Sequence, residues 1–267
     1  MRRSVSEVAL KGRLTVSLCL ASLLAVTGCA NGGLPMIASQ QADPTMTGSL
    51  PEGPSIRATA EAAKAWQEDP GSVRRAVTYA RLLDQAGQKD QLIRVLETTL
   101  THNPNDPKLV AYLGKELILA GRSKAGVEQL NKAILAGETN WKNYSALGSG
   151  YDQIGQFVQA REAYHKAQQL NPNEVAIYNN IGMSYILEGN LEMAETSLRA
   201  AQKLPEGEFN QTLRQNLALA VGLQGRFDEA RDIASRDLPP TQVEENLAFL
   251  TNTLNQENTW QQIKGTN

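Results

Sequence analysis

Trp141-Lys142-Asn143-Tyr144-Ser145-Ala146-Leu147-Gly148-Ser149-Gly150-Tyr151 opens a stretch that runs on through Ala160, Tyr164 and Ala167 to Pro172 and Glu174. Its apolar and small residues fall three or four apart, the spacing of one helix face, with a break at Gly155 between two such faces. The next 34 residues repeat the spelling with Tyr178, Ile181, Gly182, Tyr185, Ala194, Leu198 and Ala201. Gly87, Gly121, Gly155 and Gly189 form one ladder with this period, and Ala80, Gly114, Gly148 and Gly182 form another, seven residues ahead. A period of this length means a pair of helices that cannot bury its apolar face alone and must stack on its neighbours.

The pattern resembles the tetratricopeptide repeat (TPR). The resemblance implies an all-α fold, a right-handed superhelix of antiparallel helix pairs. Within it the glycines inside helices mark close helix contacts, at a cost of about 1 kcal/mol each relative to alanine. Those after the first helix of each pair suit a left-handed helix end. Pro70, Pro104 and Pro172 stand where second helices stop. Residues 56–240 read as the array: a half-unit at 56–72, then units near 73–106, 107–140, 141–174, 175–210 and 211–240. The fifth follows a two-residue insertion and carries Leu217, Ala218, Gly225 and Ala230 in register. Val243, Leu247, Leu250 and Leu254 predict a capping helix within 241–267. The tyrosine stripe reads as core.

Ahead of the repeats, Arg2, Arg3, Lys11 and Arg13 precede an apolar run from Leu14 to Val26. The run is too short to span a bilayer and reads as a secretory signal, residues 1–28. Val26-Thr27-Gly28-Cys29 resembles the lipobox of bacterial lipoproteins; an ordinary signal with an incidental cysteine is the other reading. The resemblance implies cleavage between Gly28 and Cys29 and lipid on the Cys29 sulfur, so that the chain meets the membrane through acyl anchors. Ala30, where enteric lipoproteins retained at the inner membrane carry aspartate, implies the outer membrane, facing the periplasm. Residues 29–55, with Gly32, Gly33, Pro35, Pro44, Gly48, Pro51, Gly53 and Pro54 and no apolar period, read as a flexible tether. With Cys19 removed in the signal, one cysteine would remain, and no disulfide could form within the chain.

The whole chain carries 26 basic and 28 acidic side chains. Without residues 1–28 these become 22 and 27, a net charge of −5, which offers no general attraction to nucleic acid. Catalytic chemistry is hard to place. His102 and His165 lie far apart in sequence without partners at metal-ligand spacing, and no nucleophile elbow occurs. Gly150 and Gly155 have phosphate-loop spacing, but Gln156 and Phe157 follow in place of Lys and Ser or Thr. The expectation is a non-enzyme with no cofactor and no metal.

Arg74 and Arg81, and Lys108 and Lys115, are each seven apart and share helix faces; the period stacks Arg74, Lys108 and Lys142 in a row. Resemblance to the repeat family places this row, with Ser145, Ser149, Asn179 and Met183 further along, in the groove where extended peptides lie. Such a groove suits an acidic peptide or a terminal carboxylate. A solvated face neutralised by Asp84, Asp152 and Glu116 is the alternative.

Asn216-Leu217-Ala218-Leu219-Ala220-Val221-Gly222-Leu223-Gln224-Gly225-Arg226, then Asp237-Leu238-Pro239-Pro240 and a closing helix, is similar to the C-terminal half of the TadD family. Those are TPR lipoproteins of the tight-adherence (Flp) pilus apparatus. The similarity implies a pilotin or scaffold whose protein partner is a component of the pilus secretion channel. A general envelope adaptor that recruits a protease or cell-wall enzyme is the second reading.

Overall fold

The computed structural model describes residues 55–255; the stretches read above as signal and lipobox, the expected tether up to residue 54 and the tail beyond residue 255 lie outside the described residues. Within them the chain forms twelve helices and no strand. A lone helix, α1 (Ile56–Glu68), precedes five antiparallel pairs. These are α2 (Val73–Gln85) with α3 (Lys89–His102), α4 (Pro107–Leu119) with α5 (Ser123–Leu135), and α6 (Trp141–Gln153) with α7 (Phe157–Leu170). They continue with α8 (Val175–Glu188) and α9 (Leu191–Gln202), then α10 (Gln211–Leu223) and α11 (Phe227–Ala234). A last helix, α12 (Pro240–Asn255), packs on α10 and α11. Among the described residues no helix is long and apolar enough to cross a membrane.

Local chemistry sets the helix ends. The Asp106 carboxylate accepts from the backbone N–H groups of Lys108 and Leu109, and Pro107 starts α4 with its fixed φ. Asn140, Asn190 and Asn210 cap α6, α9 and α10 in the same way. At the end of α8, Gly189 takes φ 85°, a conformation open to glycine at little cost, and its N–H bonds back to the Ile186 carbonyl. The other turn glycines of the ladder, Gly87, Gly121 and Gly155, share the positive φ.

The second ladder has a packing cause. A Cβ on Gly148 would lie 2.5 Å from the Tyr164 ring, and one on Gly182 2.6 Å from Leu198. Each pair thus closes with the first helix lying directly against a large residue of the second. Tyr164, Leu198, Leu130 and Leu96 are fully or almost fully buried, worth roughly 2–3 kcal/mol each in apolar transfer. The core is a chain of apolar clusters shared between neighbours. At the front end, Trp66 of α1 tilts against Tyr79 at 6.0 Å and donates its indole N–H to Thr99 at 3.1 Å, covering the first pair. At the back, Val243, Leu247, Leu250 and Leu254 of α12 are buried.

Candidate functional site: the inner face of the array

Each of the first helices α4, α6, α8 and α10 touches its counterpart in the adjoining unit, while the second helices make no comparable contact with one another among the described residues. The array therefore bends with its first helices on the inside. Two side-chain rungs cross this inner face. Asn180 of α8 donates its amide N–H to the Ser145 hydroxyl of α6 at 3.1 Å. Asn216 of α10 donates to the Asn179 carbonyl oxygen of α8 at 2.8 Å.

These rungs correct part of the expected site. Ser145 is buried and engaged with Asn180, so its hydroxyl holds helices together. Asn179 spends its carbonyl oxygen on Asn216. Ser149 and Met183 are half-buried, one helical turn beyond Ser145 and Asn179, and Lys115 is half-buried at the same register of α4. Arg74, Arg81, Lys108 and Lys142 are exposed, and none makes an ion pair among the described residues. Lys142 lies 5.5 Å from the centre of the Trp141 ring, a cation–π contact. Arg74, Lys108 and Lys142 each occupy the second residue of a first helix, where no acidic side chain is present in the first turn. A cation there meets the positive end of the helix dipole, which opposes all three charges; for Lys142 the Trp141 ring offsets this.

The expected counter-charges are used elsewhere. Lys89 of α3 bonds to both Asp84 and Glu116, the latter at 2.9 Å. Burial opposes the Lys89 charge, but the two carboxylates outweigh it and raise the ammonium pKa above its ordinary range. Tyr112 beside them is pushed up to about 12, by burial first and then by Glu116 and Asp84. Asp152 is buried between α6, α7 and α8, where it accepts from the Tyr164 hydroxyl at 2.9 Å and the Ser184 hydroxyl at 2.6 Å. Burial raises its pKa to about 6, against the pull of those two hydrogen bonds and of Arg161. The reading of Asp152 as a neutraliser of the basic face is therefore overturned: its carboxylate faces the helix junction.

The remaining chemistry is sparse. His102 is exposed in the last turn of α3 and His165 on α7, in different units. Gly150, which shared phosphate-loop spacing with Gly155, is buried inside α6 against Ile118 and Val127. Among the described residues no group of three or more His, Cys, Asp or Glu side chains is placed to hold a metal ion.

Residues beyond the expected set also lie on this face. Leu187 follows Asn179 and Met183 at four-residue steps on α8; Leu219 and Leu223 follow Asn216 at three and seven on α10. Since Asn179 meets Asn216, both stripes border the same α8–α10 seam. All four apolar side chains are half-buried.

Comparison with known proteins agrees with this geometry. The tetratricopeptide repeat model matches residues 175–207. BBSome complex member BBS4 of Mus musculus is 28% identical over 158 residues, which are 57% of this chain and 30% of that protein. The chain thus spans about a third of the length of the curated relatives it matches first. Among solved structures, TTC0263, a thermophilic TPR protein of Thermus thermophilus, superposes with a TM-score of 0.56 at 21% identity. The match covers 68% of this chain and 100% of that one. PilW, a type IV pilus biogenesis factor, superposes with a TM-score of 0.60 at 16% identity over 67% of this chain and 83% of its own. The fold is a TPR array, an architecture whose long inner surface generally serves to bind other proteins.

Proposed function

We propose that this chain is a lipid-anchored TPR scaffold of the bacterial envelope that seats a component of a tight-adherence pilus secretion channel, as a pilotin or assembly factor. The reading is carried by one sequence observation, the Asn216–Arg226 stretch with Asp237-Leu238-Pro239-Pro240 and a closing helix, which is similar to the TadD family. Two further features support it. Val26-Thr27-Gly28-Cys29 offers a site for lipid at the head of a Gly- and Pro-rich segment. Arg74, Lys108 and Lys142 are exposed at the start of successive first helices, where the helix dipole opposes them, as expected of groups kept for a partner. PilW is built on the same fold, and at 16% identity that likeness extends to the fold alone. In this reading the repeats bind, the lipid places the complex at the outer membrane, and no covalent chemistry is involved.

The test is a tagged full chain pulled down from membranes, beside Cys29→Ala. The wild type is expected to take up labelled palmitate and to co-purify with a pilus channel component. Cys29→Ala should lose the label and fail to restore piliation in a deletion strain. Normal piliation in that strain, with proteases or cell-wall enzymes as the bound proteins, would turn the reading to an envelope adaptor.

A further inference from the structure

The inner face is not uniform along the array. Residues 55–171 carry 15 basic and 12 acidic side chains, and residues 172–255 carry 6 and 12. The front half is therefore net +3 and the back half net −6. Exposed Lys142 stands three residues ahead of Ser145 on one helix face, Arg74 and Lys108 take the same register, and Arg81 follows Arg74 at seven, all in the front three units. The arginines of the last units are largely committed, with Arg199, Arg226 and Arg231 paired to Glu195, Glu229, Asp228 and Glu244. Along the inner seam of α8 and α10, in place of cations, stand Met183, Leu187, Leu219 and Leu223, half-buried and apolar.

We infer that the bound segment is bipartite: an acidic stretch over the first three units joined to an apolar stretch over the last two. This rests on the inner face being the partner site. Charge fixes the direction. An acidic stretch is attracted by the front cations and repelled by the net −6 of the back half, while leucine and methionine side chains offer it no hydrogen bond. An apolar stretch finds in the seam a run of inner surface without exposed charge, where its burial is favourable. Ser145 and Asn179, between the two zones, are tied into rungs and offer the segment few free polar groups. Recognition therefore comes from the two ends of the groove, and the two contributions multiply when one chain spans both.

The experiment uses the full chain in detergent with three fluorescein-labelled peptides: about six glutamates followed by a leucine- and phenylalanine-bearing stretch, and each half alone. By anisotropy the joined peptide should bind about tenfold or more tighter than either half. Lys108→Glu with Lys142→Glu should reduce it to the level of the apolar half and remove its salt dependence. Leu219→Gln with Leu223→Gln should reduce it to the level of the acidic half and leave the salt dependence intact. Melting curves accompany every variant, and Met183→Gln replaces the leucine pair should that pair melt early. An acidic half that binds as tightly as the joined peptide, or seam variants that bind it unchanged, would overturn the inference. A flat peptide pattern with a channel component still captured from membranes would sink only this inference. The expected pattern with no channel component captured would sink only the pilus assignment.

Discussion

Two successive joints of the same array are built from opposite materials. Between the third and fourth units, one buried carboxylate joins three helices: Asp152 of α6 accepts from Tyr164 of α7 and Ser184 of α8. Between the fourth and fifth, a half-exposed charged network does the work. Glu195 of α9 holds Arg199, Arg226 and Gln224, and Glu229 of α11 closes the ring on both arginines. The period sets where units meet, and leaves open how they are held. It also gives the joints opposite responses to acid. Asp152 has a pKa raised to about 6 by burial, so the folded state binds its proton more tightly than the unfolded chain, whose reference is 3.8. Its contribution is fully present below the unfolded value and is lost as pH rises through about 6. For Glu195, burial opposes ionisation, but the bonds from Arg199, Gln224 and Arg226 outweigh it and lower the pKa. That contribution is present above the ordinary glutamate range and is lost as pH falls.

The largest effect should come from Tyr164, which lies between Gly148 and Asp152. Gly148→Leu drives a side chain into a ring that already stands 2.5 Å from where its β-carbon would sit, and should cost at least ~3 kcal/mol by overpacking. Urea unfolding monitored by circular dichroism checks it, and a midpoint equal to wild type would remove the close contact from the account.

Next in size is the acid response of the buried joint. From pH 7.5 down to pH 4, ionised Asp152 regains its proton, which should strengthen that joint by about 2 kcal/mol. Asp152→Asn keeps polar atoms facing both hydroxyls and should flatten this dependence, raising stability near pH 7.5. A pH profile identical in the variant and the wild type would show that the carboxylate is not buried as described.

The half-exposed joint should respond less. Glu195→Gln is expected to cost about 1 kcal/mol at low salt, shrinking toward zero at about 1 M salt as the network is screened. A cost that salt leaves unchanged would mean that packing, not charge, holds the fourth and fifth units together. Smallest of all, Lys108→Glu with Lys142→Glu should shift the melting temperature by no more than about 1–2 °C, because both side chains are exposed and unpaired with acids. A large shift would mean that the front cations stabilise the fold.

The fold was legible because helix contact leaves a narrow choice of residue. Where a first helix presses on Tyr164 or Leu198, only glycine fits, so the contact prints itself into the chain at a constant interval. Turn glycines with positive φ do the same. Other constraints leave no periodic trace. Gly207, in the turn after α9, would place a Cβ 1.9 Å from the Ala201 carbonyl oxygen, yet it belongs to no ladder because the inserted residues create that turn once. The exposed charges Arg74, Lys108 and Lys142 were legible as a row, since charge at one register needs no partner to be noticed. The commitments of Ser145, Asn179 and Asp152 were not. Each depends on a side chain 32 to 37 residues away, and a hydroxyl or amide looks the same in sequence whether it faces a ligand or a neighbour. Leu187, Leu219 and Leu223 carry no signal of their own, because a leucine at helical spacing reads the same whether the core or a partner covers it.

The rungs across the inner face have a mechanical meaning. Asn180 to Ser145 and Asn216 to Asn179 are short cross-ties on the concave side of a curved beam, the side that lengthens when the beam is straightened. Between α2 and α4 the tie is ionic instead, Lys89 bridging Asp84 of one and Glu116 of the other. Under tension along its axis the front joint should therefore soften as salt screens that bridge, while the amide rungs behind it hold their curvature: a salt-dependent spring ahead of a salt-independent one.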